Sequence, residues 1–387
     1  MKKIIVVGYR VDKKRGYVTG QAVMIDLFIS IMKCNKYPIK AVALNYILGG
    51  NTKIGKTSFL RLLDYLIIFT RIVLTISFNP KSVLYFSPVS NKFGAIRDYI
   101  MVKIAKLFGY KIIMQQFGCR FQDFYNSLSP RLQKMVQNCY SQATIITVEG
   151  EKAKEQFDNM PFKDKLVILQ NGLPETNLEI NGVPKHITQN QPVKLFYLSN
   201  MIESKGYMDV LEAINILVNQ YHKNIIATFA GKFLSVIDDE KFKSPEEAYQ
   251  AFMSQIDKYG LKERVKYFPG LFGKEKAEEW NGSHFFLLPT YYVFEGQPTA
   301  ILEALAYGSV PIVTRHGLIP EMLDENCGLF VEKKNPQQIA EKIKNVIENP
   351  AMYTSLSKEA HLNYQQNYTL AAYEKKLINI IKQYIKL

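Results

Sequence analysis

The feature that most constrains this chain is an alternation, run through twice, of short apolar segments with longer stretches of helical period. Residues 4–7, 39–44, 82–86, 111–114 and 144–148 read as strands, separated by helix-periodic segments such as 23–32 and 95–108. A second series starts at 195–198 and continues through a helical stretch at 207–219, then 225–230, 265–268, 284–288 and 310–314. Strands covered by helices on both faces read as near-continuous apolar runs, and this alternation is the mark of parallel sheets. The expected fold class is α/β, with two Rossmann-like domains. Between the two series lies a loose stretch, 173–192, with Asn181, Gly182, Pro184, Asn190 and Pro192, which reads as the linker. The expected division is a first domain over 1–183 and a second over 184–368.

A chain of 387 residues is long for one core and comfortable for two. Its 47% hydrophobic and 22% charged residues are ordinary for a water-soluble globular protein. The start runs from Met1-Lys2-Lys3 directly into a strand, so it does not read as a secretory signal. Cys34, Cys119, Cys139 and Cys327 are scattered without metal-binding spacing and read as reduced thiols of a cytoplasmic protein. Charge is uneven: residues 1–184 hold 26 Lys+Arg against 12 Asp+Glu, and residues 185–387 hold 23 of each. The whole excess of +14 therefore sits in the first half and calls for an acidic partner or surface, phospholipid headgroups or nucleic acid. Lys13-Lys14-Arg15 is the densest basic cluster, and 59–76 is the most apolar segment. Arg61, Asp64 and Arg71 interrupt that segment, which argues against a membrane span. It reads as a buried crossover helix, with a helix lying in a membrane interface as the alternative.

The most informative stretch for function is 284–314. The apolar run 284–288 ends at Pro289-Thr290, Pro298 suits a first helical turn, Thr299 to Tyr307 are mostly good helix formers, and Gly308 suits the position after the helix end. In an open parallel sheet the order strand, loop, helix, strand puts that loop at the carboxyl ends of the strands, where ligands bind. Glu295 in the loop and Glu303 in the helix are eight positions apart. A helix start offers free N–H groups to an anion, Gly296 permits close backbone approach, and carboxylates accept hydrogen bonds from hydroxyls. Glu295 suits the hydroxyls of a sugar and Glu303 the ribose of a nucleotide. Two glutamates at this spacing can also be no more than solvated charges.

With Phe-Glu-Gly-Gln-Pro at its start and Glu-Ala-Leu-Ala-Tyr-Gly-Ser-Val-Pro-Ile-Val at its end, the block resembles the E-x7-E donor signature of retaining GT-B glycosyltransferases, which assemble bacterial polysaccharides and glycolipids. The resemblance implies that Glu295 contacts the donor sugar, Glu303 the ribose, and that Gly296, Gln297, Pro298 and Thr299 line the sugar and phosphates. Leu198 to Tyr207 resembles the family's Gly-Arg-Leu-x-x-x-Lys-Gly segment, with Lys205 and Gly206 in place and Asn200 where arginine is usual. Lys205 then supplies the charge that a departing diphosphate needs. Gly20, in 16–22, stands for one member of the family's glycine pair, and Thr19 takes the other place. Gln115 and Phe117 occupy the segment where many relatives carry histidine, with Gln115 and Arg120 as the nearest polar substitutes. His284, at the start of an apolar strand, reads as structural. The tail 369–387 is amphipathic, and in this fold such a helix crosses back to the first domain.

The implied activity is transfer of a hexose from a nucleotide diphosphate sugar to a glycan or lipid-linked acceptor, with catalytic roles for Glu295 and Lys205. The expected donor site is Gly20, Asn200, Lys205, Gly296, Gln297, Pro298, Thr299 and Glu303. No Asp-x-Asp pair occurs, Asp238 and Asp239 being adjacent, so no metal and no cofactor is expected. The expected acceptor side is the basic first half, and the expected setting is cytoplasmic, peripheral on the inner face of a membrane. Two other readings stay open: 50–57 matches the phosphate-loop pattern G-x4-G-K-[ST], which would make the chain a nucleoside triphosphatase using Lys56, and the basic half could belong to a non-catalytic nucleic-acid-binding protein. Against the first, the next strand ends without a magnesium-holding aspartate. Against the second, aromatic residues interleave the basic ones only sparsely, and no nucleic acid is expected as partner.

Overall fold

The computed structural model of the chain describes residues 2–12, 19–48, 59–174, 178–234 and 241–385. The Lys13-Lys14-Arg15 cluster, the 50–57 motif with Lys56, residues 16–18 of the glycine segment and the Asp238-Asp239 pair lie outside them. The chain divides into two compact units, Met1–Asn171 with Tyr373–Leu387, and Gly172–Ala372.

The first unit runs β1 (Ile4–Gly8), α1 (Gly20–Cys34), β2 (Ile39–Ala43), α2 (Phe59–Ser77), β3 (Val83–Phe86), α3 (Lys92–Leu107), β4 (Lys111–Gln115), α4 (Phe121–Asn126), α5 (Pro130–Ser141), β5 (Ile145–Val148), α6 (Glu151–Glu155) and β6 (Leu166–Ile168). Its six strands are parallel in the order β2-β1-β3-β4-β5-β6. β1, β3 and β5 are buried along their whole length, because a sheet covered on both faces leaves no solvated side for polar residues. Side-chain caps set the helix starts: Thr19 accepts from the Ala22 N–H and Asn91 from the Gly94 N–H.

The second unit runs β7 (Val193–Leu198), α7 (Tyr207–Asn215), β8 (Ile225–Ala230), α8 (Pro245–Lys258), β9 (Val265–Phe268), α9 (Gly273–Gly282), β10 (Phe285–Leu288), α10 (Thr299–Ala306), β11 (Val310–Thr314), β12 (Leu329–Val331), α11 (Pro336–Ile347) and α12 (Pro350–Asn367). Its order is β12-β11-β10-β7-β8-β9, all parallel. Counted from its own first strand this is 3-2-1-4-5-6, the dinucleotide-binding arrangement, whose switch point falls between β7 and β10. Trp280 of α9 anchors the core on that side, edge-on to Phe196 at 4.7 Å and stacked on Tyr307 at 6.1 Å between ring centres.

The last helix, α13 (Leu370–Ile385), buries Tyr373, Leu377, Ile381 and Ile385 in the first unit. There Asn35 Nδ2 donates to Glu374 Oε1 at 2.6 Å, and Lys111 Nζ donates to the Ile385 carbonyl at 2.7 Å. The division of the chain comes earlier than the loose 173–192 composition suggests. Asn171 is tied to Glu149 of the first unit at 2.6 Å, while the Leu173 N–H already donates to Tyr368 of the second at 2.9 Å. Lys185 is buried inside the second unit. Backbone hydrogen bonds and a buried lysine thus outweigh the turn-forming composition of this segment.

The apolar segment 59–76 is a crossover helix, but only one side of it is covered. α2 buries Asp64, Ile68, Ile72, Thr75 and Ile76 and leaves Phe59, Leu60, Leu62, Leu66 and Leu74 exposed.

Candidate active site

The switch point of the second unit is built by the loop after β7 and the loop after β10. Lys205 closes a single 3-10 turn, Glu203–Lys205, and Gly206 follows with φ 77° before α7 begins. Only glycine fits there: a Cβ would lie 2.7 Å from the Pro289 carbonyl oxygen and in a left-handed backbone. The two loops are stitched by the Tyr291 N–H, which donates to the Ser204 carbonyl at 2.7 Å.

That contact brings Lys205 Nζ to 3.4 Å from Glu295 Oε2. The Lys205 side chain is 14% exposed and that of Glu295 7%. Glu295 is held by more than charge. Thr290 Oγ1 donates to Glu295 Oε2 at 2.9 Å, the Glu295 N–H donates to the Tyr292 carbonyl at 2.9 Å, and Lys205 Nζ stands 5.2 Å above the Tyr292 ring. His316 Nε2 is 2.8 Å from the same Tyr292 carbonyl, and Thr314 Oγ1 donates to the Thr290 carbonyl. Gly317, φ 56°, passes so close that a Cβ would sit 2.8 Å from the Glu295 carbonyl oxygen.

From Glu295 the chain runs through Gly296, the buried Gln297 and Pro298, which caps α10 rather than entering it. Thr299 opens the helix. Gly308 lies just past its end with φ 61°, the left-handed position that stops a helix. Glu303, on the second turn, receives Lys276 Nζ at 2.9 Å and Trp280 Nε1 at 2.8 Å, both from one face of α9. Two donors leave a carboxylate with acceptor capacity for further hydroxyls.

Lys205, Glu295, Gly296, Gln297, Pro298, Thr299 and Glu303 thus share one end of one sheet. Asn200 is exposed just after β7 in the same unit. Gly20 belongs to the first unit, where it opens α1 beside β1; its neighbour Gln21 donates to Ser87 after β3 at 2.6 Å, at that sheet's own switch point between β1 and β3.

Gln115, one of the two polar residues expected near the histidine position, lies in the core of the first unit. It is buried, and its Oε1 accepts from the Tyr85 hydroxyl inside the core. Arg120 pairs with Asp123 one helical turn away. His284 is structural: its Nδ1 accepts from the Lys194 N–H at 3.0 Å, and burial, helped by the neighbouring charge of Lys185, pulls its pKa down to about 4. Thr290, Tyr292, Lys276, Trp280 and Gly317 escaped sequence reading. Only the i, i+4 spacing of Lys276 and Trp280 hinted at a shared face. Among the described residues no three His, Cys, Asp or Glu side chains gather as a metal site. A surface hollow at the amino ends of β7 and β8, lined by Ile187, Val193 and Ile225, lies at the opposite end of the strands from the Lys205–Glu295 pair.

The residues of this site fall inside a stretch with relatives. Residues 183–362 match the family model "Glycosyl transferases group 1". The match covers a little under half of the chain and takes in the whole Lys205, Glu295 and Glu303 arrangement. Over 310 residues, 78% of this chain and 76% of the relative, the sequence is 20% identical to the capsular polysaccharide biosynthesis glycosyltransferase CapM of Staphylococcus aureus. A shorter match of 101 residues, 25% of this chain and 26% of the relative, is 32% identical to an N,N'-diacetylbacillosaminyl-diphospho-undecaprenol alpha-1,3-N-acetylgalactosaminyltransferase of Campylobacter jejuni. Among solved structures, Anabaena HepE in complex with UDP-glucose superposes with a TM-score of 0.69 at 14% identity, over 99% of this chain and all of that one. The fold is GT-B.

Proposed function

We propose that this chain is a retaining glycosyltransferase that moves a hexose from a nucleotide diphosphate sugar to a glycan or lipid-linked acceptor in cell-surface polysaccharide assembly. The observation that carries the reading is the Lys205–Glu295 pair at the switch point of the second unit, 3.4 Å apart and mostly buried. A cation beside a carboxylate, at a loop that leads into a helix start, suits a ligand with a diphosphate at one end and hydroxyls at the other.

In this reading Lys205 meets the diphosphate with ammonium protons that Glu295 does not occupy. The first N–H groups of α10, which have no acceptor within the helix, share that charge. Asn200 donates to the phosphates without neutralising them. Glu303, steadied by Lys276 and Trp280, accepts from the ribose hydroxyls. Glu295 accepts from the sugar and, as a fixed negative charge in a dry site, stabilises the oxocarbenium-like sugar as the bond between C1 and the phosphate oxygen breaks. The acceptor oxygen bonds to C1 from the face the diphosphate leaves, and its proton passes to the departing phosphate oxygen, so configuration is kept. No covalent sugar on Glu295 is required.

Support for the donor comes from the UDP-glucose bound by the Anabaena protein, and support for a polysaccharide or lipid-linked acceptor from the names of the two relatives. The expected setting is the cytoplasmic face of a membrane. A thermal-shift panel of nucleoside diphosphate sugars identifies the donor, since a ligand bound only by the folded state raises the unfolding midpoint. The anomeric configuration of the product, read by NMR, then tests retention. An inverted product refutes the mechanism, and no shift with any nucleoside diphosphate sugar refutes the function.

A further inference from the structure

The first unit turns an apolar, carboxylate-free face to solvent. α2 and α3 pack side by side, joined by the Tyr65 hydroxyl, which donates to the Phe93 carbonyl at 2.7 Å. On α2 the side opposite the buried Asp64-Ile68-Ile72 stripe carries Phe59, Leu62 and Leu66, one helical turn apart, with Leu74 further along. On α3 the exposed stripe is Phe93, Ile96, Ile100 and Leu107. Phe59 is 76% exposed, Phe93 73% and Leu107 85%, while Ile96 and Ile100 between them are a little over one third exposed. A surface helix normally presents charge to water, and a continuous apolar strip across two neighbouring helices marks an interaction surface.

The charges around the strip select its partner. Between Asp26 and Asp123 the sequence has fourteen lysines and arginines and only two acidic residues, Asp64 and Asp98. Both acids are buried. Asp64 accepts from the backbone N–H groups of Ile47 and Leu48, and Asp98 is paired with Arg97 at 2.6 Å. The strip is therefore bordered by Arg71 and by Lys92, Lys103 and Lys106 of α3, all exposed, with no surface carboxylate on either helix. A protein partner or a second copy of this chain would have to be matched to an apolar strip with one sign of charge at its border. A bilayer of anionic lipid offers that combination everywhere on its surface.

We propose that the solvent faces of α2 and α3 lie in the interface of an anionic phospholipid bilayer, with Leu62, Leu66, Phe93 and Ile100 entering the acyl boundary and the lysines of α3 on the headgroups. No helix among the described residues is long and apolar enough to cross a membrane, so the contact is parallel to the surface. The inference supplies the proposed enzyme with the surface on which a lipid-linked acceptor resides, yet it stands on binding alone.

Co-sedimentation with phosphatidylglycerol vesicles and with phosphatidylcholine vesicles, in the absence of any donor, tests it. The wild-type chain partitions onto the anionic vesicles far more than onto the zwitterionic ones, and added salt weakens the binding. Replacing Lys92, Lys103 and Lys106 together by glutamine weakens it roughly a hundredfold, at about fivefold for each basic residue near the surface. The double substitution Leu66→Glu and Phe93→Glu weakens it more than tenfold, while the unfolding midpoint stays within a few degrees because both side chains are more than half exposed. Failure of the wild type to sediment overturns the proposal. So does equal sedimentation of the glutamate variant, or a concentration-dependent dimer that the glutamates dissolve without affecting vesicle binding. None of these outcomes depends on whether sugar is transferred.

Discussion

Lys205 and Glu295, ninety positions apart in the chain, meet at the point where the strand order of the second sheet reverses. Neither element could place its charge there alone. The β7 loop needs Gly206 in a left-handed conformation to back onto Pro289, and the β10 loop needs Thr290 to turn the Glu295 carboxylate toward the lysine.

Replacing Glu295 by glutamine keeps the shape and removes the charge. Transfer should fall by about 10²-fold or more, the usual cost of losing one preorganised charge at a transition state, while donor affinity changes by less than tenfold. Thr290→Val, which removes one hydrogen bond to the carboxylate, should cost about tenfold in kcat. Steady-state kinetics against a sugar nucleotide separates the two parameters.

The Trp280 indole reaches Glu303 at 2.8 Å and also fills the core. Trp280→Phe should therefore raise the donor KM several-fold at a stability cost of about 1–2 kcal/mol, whereas Trp280→Ala should lose about 3–5 kcal/mol of folding stability. Denaturant unfolding of both variants, set beside their KM values, distinguishes positioning of Glu303 from packing.

Lys185 is the most deeply buried lysine with a described environment, its Nζ donating to the Trp280 and Ser283 carbonyls at 2.5 and 2.6 Å and to Ser309 Oγ at 2.9 Å. Burial nevertheless pulls its pKa down to about 7 from a normal 10.5. Between those values the unfolded chain binds the proton that the folded chain lacks, so stability rises with pH, by up to about 1.4 kcal/mol per pH unit. Cys327, whose thiol burial pushes up to about 11, binds an extra proton in the folded state above pH 9 and opposes the rise there. The window is thus pH 7 to 9. Urea midpoints across it should climb in the wild type and flatten in Lys185→Met.

Gly206→Ala places a methyl group 2.7 Å from the Pro289 carbonyl in a left-handed backbone. The unfolding free energy should drop by about 1–3 kcal/mol, and because Lys205 is the adjacent residue, affinity for a nucleoside diphosphate should drop with it. Ala at Gly260, which is also left-handed but has open space around it, should cost less stability and leave ligand affinity unchanged.

The strand and helix pattern of both units was readable because strands such as Phe285–Leu288 and Val83–Phe86 are buried on both faces and so apolar throughout. Glu295, Glu303 and Lys205 were readable because a loop after a parallel strand can point only to the carboxyl edge. Thr290, Lys276 and Gly317 were not, since their roles come from contacts between distant segments that leave no local period. Which side of α2 faces solvent is not legible in the sequence for a related reason. Leu62 and Leu66 have the same composition signal as core residues, and only the packing of α3 and the sheet against one side of the helix reveals which apolar residues face water. The early close of the first unit at Asn171 depends on single hydrogen bonds of Asn171 and Leu173 that composition cannot register.

Isothermal titration of the wild-type chain and of Lys205→Ala with UDP and other nucleoside diphosphates tests the central claim most directly. Saturable binding to at least one of them, weakened roughly 10–100-fold by Lys205→Ala in keeping with a lost charge-assisted contact of about 1.5–3 kcal/mol, is the predicted result. Absence of heat with every nucleoside diphosphate, or an affinity that Lys205→Ala leaves unchanged, would contradict it.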